Sequence, residues 1–104
     1  MLDGPQNLVV MVGDRMEMQC GEDNNYTIRE WTNQRTINSS KSTIFLNWVG
    51  PKIINSHFGI VDGTAGVLYT NSTEMDDEGI YTCTVDQGRS QPGRQSAQLI
   101  VFGK

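Results

Sequence analysis

The chain has 104 residues and a mass of 11.6 kDa, with 37% hydrophobic and 19% charged side chains, the size of one ordinary domain around one core. Eight Lys plus Arg against twelve Asp plus Glu leave a net charge of −4, and an acidic surface gains nothing from counterion release, so no nucleic-acid partner is expected. The longest apolar run, residues 8–12, is far too short to cross a membrane, and two Trp, three Tyr and three Phe supply too much to bury for a disordered chain.

No stretch of ten or more residues repeats apolar positions at helical spacing. Short β-branched, aromatic and apolar runs recur between Gly, Asp, Asn and Pro, the pattern of an all-β sandwich or barrel. Residues 8–12 read as the first strand, closed by a turn at Gly13-Asp14. Met16, Met18 and Cys20 then alternate with Arg15, Glu17 and Gln19, giving one dry and one wet face. A polar loop over 21–26 leads to a strand at 28–32 carrying Trp31. Residues 38–41 break the pattern before a strand at 43–48, which Gly50-Pro51 ends.

Phe58, Ile60 and Val61 form the next run. Asp62-Gly63 suits a tight hairpin turn into residues 67–70. A polar corner at 71–78 precedes the last two strands, 80–85 and 97–102. The loop at 86–95 between them carries Pro92-Gly93, suited to a type II turn. About eight strands in one domain spanning 1–104 are expected, with residues 102–104 starting a linker to a further domain or stalk.

Little in this chain invites catalysis. There is one histidine, His57, and two cysteines, Cys20 and Cys83, with no CxxC, HExxH or GxSxG pattern. No catalytic residue, metal site or cofactor is expected. Glu22-Asp23 and Asp76-Asp77-Glu78 could supply calcium oxygens, but runs of charge are usually solvated, and calcium needs about six ligands. Asn25-Tyr26-Thr27, Asn38-Ser39-Ser40 and Asn71-Ser72-Thr73 fit the N-glycosylation sequon, so Asn25, Asn38 and Asn71 are glycosylation candidates in polar loops or strand ends. They favour an extracellular location.

Cys20 and Cys83 each fall where a strand would point them inward, and Trp31 follows the first. The second ends Asp77-Glu78-Gly79-Ile80-Tyr81-Thr82-Cys83, which fits D-x-G-x-Y-x-C. With Val12-Gly13-Asp14-Arg15 ahead of the first cysteine strand, this closely resembles the immunoglobulin superfamily over nearly the whole chain. The resemblance implies a two-sheet antiparallel Greek-key sandwich of variable or intermediate type, found extracellularly, with an inter-sheet disulfide between Cys20 and Cys83. Such a bond closing about 60 residues is worth roughly 4 kcal/mol. Two buried free thiols are the alternative. Trp31 and Tyr81 would fill the core, the Tyr81 hydroxyl reaching back to the corner backbone.

The resemblance also places His57-Phe58 where the family commonly has Arg-Phe. That implies an ion pair between His57 and Asp77, strengthening when the imidazole is protonated, against the plain alternative of an unpartnered strand-end histidine. Trp31-Thr32-Asn33-Gln34 keeps the glutamine of the antigen-receptor Trp-Tyr-x-Gln but loses its tyrosine. No Phe-Gly-x-Gly bulge precedes Leu99. Both departures bear on heavy–light type pairing.

Alternation sends Glu30 and Thr32 outward if Trp31 points in, and Thr82 and Thr84 outward if Cys83 points in. Ala97, Leu99 and Val101 then face the core while Gln98, Ile100 and Phe102 face out. One of Phe45 and Trp48 should face the core. In the superfamily this outer sheet is the usual recognition face, and Arg89 and Arg94 stand in the loop at its edge. The expected role is an extracellular module of an adhesion molecule or receptor that binds a protein partner, a second copy of itself included as a weak dimer. Recognition of a microbial or other ligand through the end loops, and a structural spacer, are the alternatives.

Overall fold

A computed structural model describes residues 5–20, 27–61, 66–86 and 93–103. Among them, nine strands form two sheets: β1 (Leu8–Met11), β2 (Met16–Gln19), β3 (Thr27–Gln34), β4 (Ser42–Leu46), β5 (Lys52–Ile53), β6 (Gly59–Ile60), β7 (Val67–Thr70), β8 (Gly79–Asp86) and β9 (Gly93–Phe102). The six-stranded sheet runs β1-β9-β8-β3-β4-β5 and the three-stranded sheet β2-β7-β6. A short 3-10 turn, Met75–Asp77, stands before β8.

Period-2 alternation builds the core. Met16, Met18 and Leu68 come from the small sheet, and Trp31, Phe45, Tyr81, Cys83, Val85, Ala97, Leu99 and Val101 from the large one. Cys20 and Cys83 are joined by a disulfide across the two layers, with their Cα atoms 6.4 Å apart. Trp31 is in register with both Cys83 and Phe45, so the largest side chain lies against the cross-link. The chain passes from the large sheet to the small one between β1 and β2, where Gly13 takes φ +95 and its N–H bonds the Thr73 carbonyl at 2.8 Å.

The structure differs from the strand reading in four places. β5 is an additional edge strand, pairing Ile53 with Phe45 and Lys52 with Leu46; with only two residues it carries no periodic signal. β4 ends at Leu46, not at residue 48. The Asn47 N–H bonds the Arg29 carbonyl and its Nδ2 bonds the Ile28 carbonyl, which turns the chain, so Phe45 is buried and Trp48 is half exposed beyond the strand. β9 begins at Gly93, not at residue 97, because β8 pairs with it through Val85, backbone bonding that polar side chains do not reveal. Finally, β1 runs parallel to β9, Val9 opposite Ile100, in an otherwise antiparallel sandwich. The expected turns at Asp62-Gly63 and Pro92-Gly93, apart from Gly93 itself, lie outside the described residues, as do Glu22 and Asp23.

Candidate binding face

The large sheet turns one face to the core, and its other face is organised in bands along the strands. At one end Thr84 stands between Glu30 on β3 and Arg94 on β9. Next, Thr82 lies between Thr32 and Ser96, and the Thr82 and Ser96 hydroxyls are 2.8 Å apart. Ile80 then sits between Gln34 and Gln98, whose N–H bonds Asn7 Oδ1 at 2.8 Å. At the far end Ile100 pairs with Val9 and Phe102 with Met11, making an apolar strip. Val9 is 66% exposed, and Ile100 and Phe102 42% each.

Glu30, Thr32, Arg94, Gln98, Ile100 and Phe102 therefore share the outer face, with the two sheet-central threonines between them. Thr84 needs a correction. It points outward but is only 3% exposed, because in a central strand its short side chain is walled in by longer neighbours on β3 and β9. It offers a partner almost no surface. Arg89 and Asn25 lie outside the described residues. Asn38 and Asn71 are exposed, at the β3–β4 turn and just after β7.

Sequence reasoning missed Val9 and Met11, since nothing local says which strand lies beside β1. It also missed the exposed Val49, Ile53 and Ile54 of the β4–β5 edge, and left open which of Phe45 and Trp48 turns outward; Trp48 does. Ile53 shares the face of Phe45 but sits where the three-stranded sheet gives no cover, at the edge of the larger one. The Arg29 guanidinium stands 5.6 Å from the Trp48 ring centroid, and its Nη1 donates to the Asn47 carbonyl. The Gln34 amide is turned inward to its own hairpin, Nε2 donating to the carbonyls of Thr36, Ile37 and Ser39. It is thus not presented for the side-chain pairing that the antigen-receptor glutamine suggests.

Below this face lies the corner between β7 and β8. His57 Nε2 is 2.7 Å from Asp77 Oδ2, and the same oxygen accepts the Glu74 N–H at 2.8 Å. Tyr81 Oη donates to the Asp77 carbonyl, and Phe58 packs edge-on against both the His57 and Tyr81 rings. Glu78 Oε1 accepts the Val101 N–H, tying β9 to the corner. Burial, opposed by a hydrogen bond with Asn33 and reinforced by the Asp77 carboxylate, pushes the Tyr81 phenol well above its ordinary range. Ligand atoms of His57, Glu74 and Asp77 come within 4.8 Å of one another. With Asp77 Oδ2 already holding two donors, their arrangement reads as a hydrogen-bonded brace.

This arrangement, a disulfide between two sheets beside a core tryptophan with a tyrosine corner, defines an immunoglobulin-type β-sandwich. The additional β4 and β5 strands beside the β9-β8-β3 sheet mark the variable type. The sequence matches the immunoglobulin domain family over residues 6–95, and the chain belongs to that family. Its members are generally not enzymes. Among solved structures, the fold is similar to murine CRIg, with 22% identity, a TM-score of 0.74, and 98% of this chain and 97% of that one covered. It is also similar to a chicken TCR, with 18% identity and a TM-score of 0.77; the match covers 100% of this chain but only 50% of that one. No curated protein matches the sequence. Among the described residues, no helix is long and apolar enough to cross a membrane.

Proposed function

We infer that the chain is an extracellular recognition module of a cell-surface receptor or adhesion molecule, binding a protein partner through the outer face of its six-stranded sheet. Its role is binding, without catalysis. The observation that carries this reading is the continuous apolar strip of Val9, Ile100 and Phe102 at one end of a face whose other end carries Glu30 and Arg94. A contiguous exposed apolar patch adjoining polar and charged bands marks a protein-interaction surface, and a spacer would have no use for it. Arg94 adds a side-chain type enriched at such surfaces.

A self-complementary version follows from the same face. The apolar strip of Val9, Ile100 and Phe102 can meet its own counterpart in a second copy across a two-fold axis, which buries it on both sides. Sedimentation velocity over about 1 to 500 μM covers the range of weak adhesive contacts. Concentration-dependent dimerisation that Ile100→Lys and Phe102→Asp abolish is the expected result. A monomer at every concentration overturns the self-associating version and directs the search to a different protein.

A second reading has its own observation. Trp48 and Val49 project from the loop between β4 and β5, Val49 wholly exposed and Trp48 beside Arg29. They suit recognition through the end loops. Trp48→Ala separates the readings, because it weakens loop-mediated binding and leaves sheet-mediated dimerisation unchanged.

A further inference from the structure

The small sheet presents an outer face of a different kind. Arg15, Glu17, Tyr69 and Asn71 alternate with the buried Met16, Met18, Leu68 and Thr70, and Glu17 pairs with Tyr69 across β2 and β7. The Arg15 guanidinium lies over the Tyr69 ring with Cζ 4.4 Å from its centroid, and Arg15 Nε donates to Glu17 Oε2 at 2.8 Å. Arg15 Nη1 donates to Asn71 Oδ1. The carboxamide of Asn71 is therefore held by its oxygen. Its Nδ2, on the other side of the planar amide, has no partner among the described residues, and Asn71 is exposed.

Asn71 opens the sequon Asn71-Ser72-Thr73. In the folded domain the Thr73 hydroxyl is committed to the Asp14 carbonyl at 2.7 Å, so transfer of a glycan would precede closure of this corner. We propose that Asn71 is N-glycosylated and that its glycan covers the outer face of the three-stranded sheet, leaving the six-stranded face as the open protein-binding surface. In the transfer, Nδ2 bonds to the anomeric carbon of an N-acetylglucosamine carried on a lipid-linked diphosphate oligosaccharide. The bond from that carbon to the phosphate oxygen breaks, Nδ2 loses one proton, and the lipid diphosphate leaves. The finished amide keeps Oδ1 free to accept from Arg15, so the clamp survives and aims the first sugar outward. This inference rests on the extracellular placement proposed above and not on which partner binds.

The test is secretion of the chain from a eukaryotic cell behind an added leader, then amidase release of glycans in heavy-oxygen water and peptide mapping. Heavy aspartate at position 71 in most molecules is expected; an unmodified Asn71 overturns the site. Because the leader delivers the chain to the transferase, that failure counts against Asn71 and not against the extracellular reading. Hydroxyl-radical footprinting then compares the intact glycoprotein with the same protein trimmed to single sugars. A lower rate at Tyr69 in the intact form, with Phe102 unchanged, is expected, and equal rates at Tyr69 overturn the screening.

Discussion

His57 Nε2 stands 2.7 Å from Asp77 Oδ2 although the two residues are 20 positions apart in sequence. The aspartate is buried and also caps the turn before β8 through the Glu74 N–H. A buried carboxylate that loses one of its donors keeps its desolvation cost, so the pair should behave as a unit. His57→Gln and Asp77→Asn are each expected to destabilise by about 1–3 kcal/mol. In a double-mutant cycle by urea denaturation the coupling should reach about 1 kcal/mol or more. Additive effects would mean that the contact contributes nothing of its own.

Tyr81 gives the fold an alkaline limit. Its phenol ionises at higher pH in the folded chain than in the unfolded one, chiefly because burial penalises the phenolate. A group whose folded value is raised contributes stability fully present below its unfolded value, near pH 10, and lost as pH climbs beyond it. Wild-type stability should therefore fall above about pH 10, and Tyr81→Phe should flatten that limb. At pH 7 the same substitution should cost about 1–3 kcal/mol, since the Asp77 carbonyl is left without its hydroxyl donor. Thermal melts from pH 7 upward check both halves.

Gly79 is required by geometry. Its φ of +155 is disfavoured for other residues, and a Cβ there would collide with the Gln34 carbonyl oxygen on the neighbouring strand. That clash is against backbone, which has no rotamer to yield. Gly79→Ala should lower stability by about 2–4 kcal/mol or prevent folding. An unchanged melting temperature would show that β3 and β8 can separate without penalty.

The disulfide joins residues 63 positions apart. Loop-closure entropy puts its worth at about 4 kcal/mol, a large part of the stability of a domain this size. The double substitution Cys20→Ala/Cys83→Ala should lose about 2–5 kcal/mol in denaturant titration, and reduction of the wild type should do the same.

Burial divides the outer face into contacts and spacers. Thr84→Val, at a position 3% exposed, should leave partner binding or self-association within about 0.5 kcal/mol of the wild type. Ile100→Lys and Phe102→Asp should each cost about 1 kcal/mol or more while the melting temperature holds. A large effect at Thr84 would mean that the partner reshapes the sheet as it binds.

Much of this fold is written in local chemistry. Alternation at Met16–Gln19 and from Ala97 to Phe102 marks buried and outward positions, because a strand sends successive side chains to opposite faces. The Asp77 to Cys83 motif and Trp31 identify the family, because a large core side chain and a corner tyrosine are needed at those separations. What the chain could not announce is which strands lie side by side. Only the parallel pairing of β1 with β9 puts Val9 against Ile100 and completes the apolar strip, and only the packing of Glu30 and Arg94 on either side hides Thr84. The two-residue β5 and the bond from Arg15 to Asn71, 56 positions apart, belong to the same category. Sequence determines the face a side chain chooses, since that is set by its own backbone; whether the face is covered depends on neighbours that arrive from distant parts of the chain.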